Sequence, residues 1–164
     1  MRVTQKFIPS SDTKLLFILG SPRVGSTLLY QVVINHFDVF YPTNSFVELF
    51  ESDHFLLSEL PMEFGCTKFV DYKSFYGKTS GEDQPSEASG LFRYFFGGEH
   101  PSESKSKEPL PGLEKKFVQF MNQLFIVNKK PFVFKNAWNC FRIEFLSQIF
   151  PKACFLWIRR DVAA

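Results

Sequence analysis

The chain has 164 residues and 19.1 kDa, which amounts to one domain, large enough to bury a core without disulfides or metals and too small for two. Hydrophobic residues make up 45% and charged residues 22%, with 19 Lys and Arg against 17 Asp and Glu, so neither a disordered chain nor a basic nucleic-acid binder is expected. The longest apolar runs fall far short of the roughly 18 residues of a bilayer span and no signal-peptide pattern opens the chain, which predicts a soluble, cytoplasmic protein with no membrane span.

After a polar lead through Pro9, Ser10 and Ser11, Leu15-Leu16-Phe17-Ile18-Leu19 is a continuous apolar run of the buried parallel-strand type, ending at Gly20. From Gly25 to about Phe37, Leu28, Leu29, Val32, Val33 and Phe37 recur at helical spacing, with Ser26 and Thr27 in the first turn and His36 in the last. Val39-Phe40-Tyr41 predicts a second short strand halted by Pro42; Phe46, Leu49 and Phe50, then Phe55, Leu56 and Leu57, predict helical pieces. Between Gly77 and Gly112, 16 of 36 residues are Gly, Ser or Pro, the composition of a loop excursion. Its apolar knot, Leu91 to Phe96, either docks on the body of the domain or forms a mobile cover.

Leu113, Phe117, Phe120, Met121, Leu124 and Phe125 predict a helix with Lys129-Lys130 near its C-terminus and Pro131 closing it. Phe132-Val133-Phe134 predicts a strand, Phe141 to Phe150 a helix bounded by Pro151, and Ala153 to Ile158 another strand. This alternation points to an α/β domain, a P-loop-like parallel sheet flanked by helices. The 22 Phe predict a core filled with rings. Cys66, Cys140 and Cys154 are odd in number and lack CxxC spacing, which argues against a disulfide framework or a zinc site and suits a reducing compartment.

Gly20-Ser21-Pro22-Arg23-Val24-Gly25-Ser26-Thr27 has the G-x4-G spacing of a phosphate-binding loop between strand and helix. Glycines permit backbone shapes in which N–H groups converge on an anion, the following helix presents its unpaired N–H groups to the same anion, and Ser26 and Thr27 add hydroxyls. A tight strand-to-helix turn is the bland alternative, but such a turn needs neither the second glycine nor the arginine. Where a nucleoside triphosphatase carries Lys, this chain has Ser26, and the cation sits instead at Arg23. Asp161 lies beyond Arg159 and Arg160, and Lys135 follows Phe132-Val133-Phe134, so no Walker-B acid stands ready for magnesium and a P-loop kinase is disfavoured.

Gly20 to Leu29 resembles the 5′-phosphosulfate loop of sulfotransferases, in particular the Pro-Arg type found in carbohydrate and tyrosylprotein enzymes. Phe134-Lys135-Asn136, Phe145-Leu146, Phe150-Pro151-Lys152-Ala153 and Phe155 to Asp161 are similar to the same family's 3′-phosphate region. The resemblance covers roughly residues 15 to 44 and 132 to 161. It implies 3′-phosphoadenosine 5′-phosphosulfate as donor, no metal, and transfer of the sulfuryl group to a hydroxyl or amine acceptor, carbohydrate among the candidates. It also implies that Pro22, Arg23, Val24, Gly25, Ser26 and Thr27 hold the 5′-phosphate and that Arg23 neutralises charge on the transferring group. Arg160, directly before Asp161, matches the arginine that binds the 3′-phosphate, with Arg159 the runner-up. Lys135 matches a lysine that stabilises the transferring group; the alternative is a lysine that snorkels past the strand end.

Two departures temper the match. The positions where many members carry a glutamate general base correspond to Thr43 and Asn44, neither of which takes a proton; Glu48 and His54 are the nearby substitutes, with a plain surface role for each as the alternative. The chain stops at Ala164, where the family begins a helix that completes the 3′-phosphate site. A single, partial sulfotransferase-like nucleotide-binding domain over residues 1–164 is expected, incomplete at its C-terminus and of doubtful activity alone. A non-catalytic nucleotide-binding or interaction module derived from that fold is the competing reading.

Overall fold

The computed structural model describes residues 14–53, 70–98, 107–127 and 130–161. The lead at Pro9 to Ser11, Cys66, Lys129 and the candidates His54, Phe55, Leu56 and Leu57 lie outside them.

Three parallel strands form an open sheet in the order β2 (Phe132–Lys135), β1 (Leu15–Leu19), β3 (Cys154–Trp157). Leu15 stands opposite Phe132 and Leu16 opposite Cys154, so the run Leu15 to Leu19 is central and paired on both sides. Side chains alternate across a strand. Leu15, Phe17 and Leu19 therefore join Phe132 and Phe134 in one cluster, while Ile18 joins Val133 in the other.

The Ile18 face is covered by helix α1 (Ser26–His36) through Tyr30 and Ile34. The opposite face carries α2 (Asn44–Asp53), α3 (Ser89–Phe96), α4 (Glu114–Val127) and α5 (Ile143–Ile149). The layer between them is made of rings: Phe17 lies 5.8 Å from Phe134, Phe92 meets Phe134 at 5.8 Å, and Phe95 packs on Phe117 at 5.1 Å and Phe120 at 5.7 Å. Edge-to-face and offset contacts of this kind add to the burial of large apolar surface.

Within the Gly- and Ser-rich stretch, the apolar knot is helix α3, and it docks: Leu91, Phe92, Phe95 and Phe96 are fully buried against the sheet and α4. The pattern Leu91, Phe92, Phe95, Phe96 gives a helix one wide apolar face, which explains why so short an element is held. Two expectations change. Val39-Phe40-Tyr41 makes only a parallel bridge, Phe40 with Phe132, because Pro42 and the start of α2 leave no room to extend pairing. The helix expected from Phe141 to Phe150 is preceded by a 3₁₀ turn, Ala137–Phe141, in which Asn136 Oδ1 accepts from Trp138 N at 2.9 Å, and the α-helix itself begins at Ile143.

Arg142 is buried at the start of α5, its guanidinium 4.5 Å from the Phe96 ring centre and 5.5 Å from that of Phe92, with Asn139 Oδ1 accepting at 3.0 Å. Burial pulls its pKa down to about 10, so it remains a cation at neutral pH, resting on ring faces. Edge strand β3 is the least covered part of the sheet, with Trp157 77% exposed. No helix among the described residues is long and apolar enough to cross a membrane.

Candidate functional site

All three strands run the same way, so their carboxyl ends share one edge, the place where ligands collect in open α/β sheets. Gly20 leaves β1 there, Lys135 ends β2, and Ile158, Arg159 and Arg160 leave β3. Gly20 is required by contact: a Cβ would stand 2.6 Å from Ile158 Cγ2 and 3.0 Å from Ile158 O, just where Ile158 N donates to Leu19 O at 2.9 Å. The loop then turns through two left-handed residues, Arg23 at φ 73° and Gly25 at φ 94°. An alternation of backbone hand turns successive N–H groups to one side, the form of an anion-binding nest, and α1 begins immediately behind it. Arg23 accepts a conformation that favours glycine and lies with its guanidinium carbon 4.8 Å from the Tyr76 ring centre.

A cleft of about 460 Å³ opens at this edge, within the roughly 300–1,000 Å³ span of small-molecule sites. Pro22, Arg23, Gly25, Ser26 and Thr27 line it together with Lys135 and Arg160. Arg159 is exposed and Val24 half-buried, and neither is part of that lining. Three cations from three distant segments thus face one space, with Glu87 as the carboxylate among them.

Lys135 follows Phe134, so strand alternation sends it to the α1 side of the sheet. It does not snorkel outward: its side chain is 6% exposed, its Nζ donates to Thr27 Oγ1 at 3.1 Å, and it forms an ion pair with Glu87 Oε1. Thr27 Oγ1 in turn donates to Gly77 O at 3.2 Å. Asn136, next along the chain, donates from Nδ2 to Glu87 O at 3.0 Å. Glu87 is therefore held by its side chain and by its backbone from two adjacent residues at the end of β2. Its charge also reaches Tyr30, whose phenol is pushed above its ordinary value first by burial and then by Tyr41 and Glu87.

Tyr76 and Gly77 form the tip of a tight turn in which Phe75 and Lys78 exchange backbone hydrogen bonds at 2.8 and 2.9 Å. Positive φ at both tip residues, 51° and 84°, is the mirror-image turn that favours Gly at its second position. This turn separates the first cleft from a second one of about 600 Å³, and Tyr76, Gly77 and Glu87 line both.

Glu48 is exposed on α2 and faces only the second cleft. Thr43 and Asn44 have structural duties. Thr43 Oγ1 accepts from Phe46 N at 3.2 Å and caps α2. Asn44 Nδ2 donates to Thr79 Oγ1 at 3.1 Å and to Gly81 O at 2.9 Å, anchoring the segment that leads to Glu87. Glu87, Tyr76 and Trp138 are lining residues that the sequence reading did not single out. Gly77 after an aromatic pair signals a turn, but nothing local signals where that turn lands.

The chain matches the family model described as the sulfotransferase family over residues 16–164, and it belongs to that family. The match spans the Gly20–Thr27 loop and the strand-end segments as well as the stretch between them. No curated protein and no solved structure matched.

Proposed function

We propose that this domain binds 3′-phosphoadenosine 5′-phosphosulfate in the cleft beside Gly20 to Thr27 and transfers its sulfuryl group to an acceptor seated in the adjoining cleft. The observation that carries this reading is the meeting of Arg23, Lys135 and Arg160 on one cleft at the carboxyl edge of the sheet. The donor supplies an activated sulfur with a phosphate as leaving group. The loop amides and the first turn of α1 suit the 5′-phosphate, and Arg160 suits the 3′-phosphate. Arg23 and Lys135 then face the sulfuryl group and the bridging oxygen, where negative charge builds during transfer, and preorganised cations at such a point lower the barrier. The second cleft meets the first at Tyr76, Gly77 and Glu87, so an acceptor there reaches the sulfur without entering the nucleotide site.

Titration calorimetry with adenosine 3′,5′-bisphosphate against ATP with magnesium tests the proposal. The expected result is tighter binding of the bisphosphate, since the loop has Ser26 where a triphosphatase has its lysine. Tighter, magnesium-dependent binding of ATP overturns it.

A further inference from the structure

We infer that Glu87 is the general base that takes the proton from the acceptor hydroxyl, a role that rests on the sulfotransfer reading above. Three observations converge on it. Glu87 is the only carboxylate that lines both clefts among the described residues, so it stands where an acceptor and a donor meet. Its side chain is 30% exposed while that of Lys135 is 6% exposed, so Glu87 is the member of the ion pair that is more open to the cleft, and only its Oε1 is engaged by Lys135. Asn136 fixes its backbone, and Asn44, at the position where a base is missing, pins the segment before it. The base has moved from the start of α2 to the segment that α2 anchors.

The ion pair with Lys135 gives the base its timing. The same ammonium donates to Thr27 Oγ1 in the first turn of α1, so an anion held at that turn draws on Lys135 and leaves Glu87 open to a hydroxyl. Glu87 then accepts the acceptor's proton as the acceptor oxygen forms its bond to sulfur. The bond from sulfur to the bridging phosphate oxygen breaks, and its electron pair leaves with the nucleotide. Glu48, confined to the second cleft, has no such contact with Lys135.

The test compares full-chain protein with Glu87→Gln, Glu87→Asp and Glu48→Gln. Bisphosphate binding is measured by calorimetry, and turnover with a neutral sugar alcohol and with a nitrophenol that is already ionised at the assay pH. Glu87→Gln is expected to keep bisphosphate binding, lose about a hundredfold to ten-thousandfold in turnover with the alcohol, and lose about tenfold or less with the ionised phenol, which needs no base. Glu87→Asp keeps the negative charge but withdraws the carboxylate by one methylene, and it is expected to lose about a hundredfold with the alcohol, a measure that stands if Glu87→Gln does not fold. Equal losses with both acceptors make Glu87 a positioning partner of Lys135 and overturn the base role. So does full alcohol turnover in Glu87→Gln, or an acceptor-selective loss in Glu48→Gln instead. Bisphosphate binding without transfer to either acceptor by the unsubstituted chain overturns the base role and leaves nucleotide binding standing; absence of bisphosphate binding overturns the sulfotransfer reading itself.

Discussion

Lys135 Nζ and Thr27 Oγ1 lie 3.1 Å apart across 108 residues of chain. This contact ties the end of β2 to the first turn of α1, and through Thr27's own bond to Gly77 O it ties both to the turn that divides the two clefts. A buried ammonium is tolerated only when it has acceptors and an opposite charge, and here the Thr27 hydroxyl and the Glu87 carboxylate supply them. The arrangement places a cation beside the glycine loop in advance of any ligand.

Thr27→Val removes the hydroxyl at that junction, leaving Lys135 one acceptor short and Gly77 O without its donor. Stability should fall by about 1–3 kcal/mol, the scale for leaving buried polar groups unpaired, while Thr27→Ser retains most of it. Urea denaturation of the two variants checks the difference.

Arg23→Ala removes the guanidinium from the cleft and from the Tyr76 ring. A loss of about 2.7–4 kcal/mol of barrier lowering, roughly a hundredfold to a thousandfold in turnover, is the expected effect, with only modest weakening of bisphosphate binding. Steady-state kinetics at saturating donor, paired with calorimetry, separates the two; near-normal turnover makes Arg23 a binding or structural residue.

Gly20→Ala places a methyl 2.6 Å from Ile158 Cγ2 and 2.9 Å from Val24 Cγ2. Overpacking of this kind costs about 1–3 kcal/mol, and because the clash lies between the loop and the end of β3, bisphosphate binding should weaken along with stability. Thermal unfolding with and without the bisphosphate measures both at once.

Phe95→Ala tests whether α3 belongs to the core. Its ring contacts Tyr94 at 4.9 Å, Phe117 at 5.1 Å, Phe120 at 5.7 Å and Phe50 at 6.1 Å, and it is fully buried. A loss of about 3–5 kcal/mol is expected from the deleted ring and the cavity it leaves. A loss below about 0.5 kcal/mol, the range of surface substitutions, would mark α3 as a detachable cover.

Sequence alone determined what local periodicity and residue chemistry can encode. A continuous apolar run makes β1, glycines and a displaced arginine make the loop, and helical spacing makes α4, because each signal lies within a few residues of its effect; α1 forms over the expected span but packs through Tyr30 and Ile34, while Leu28, Val32 and Phe37 of the expected stripe stay exposed. The same holds for the candidates at the strand ends, since the carboxyl ends of parallel strands share one edge once the alternation of elements is read. Tertiary structure decided the rest. That α3 is core and not cover depends on the rings of α2 and α4 that receive it. That Lys135 is buried depends on Thr27 and Glu87, 108 and 48 residues away. Asn44 reads as a missing base, and only its hydrogen bonds to Thr79 and Gly81 show it as an anchor for the segment that delivers Glu87. A loop has no periodicity to announce where it lands; its destination is set by the hydrogen bonds and packing it finds there.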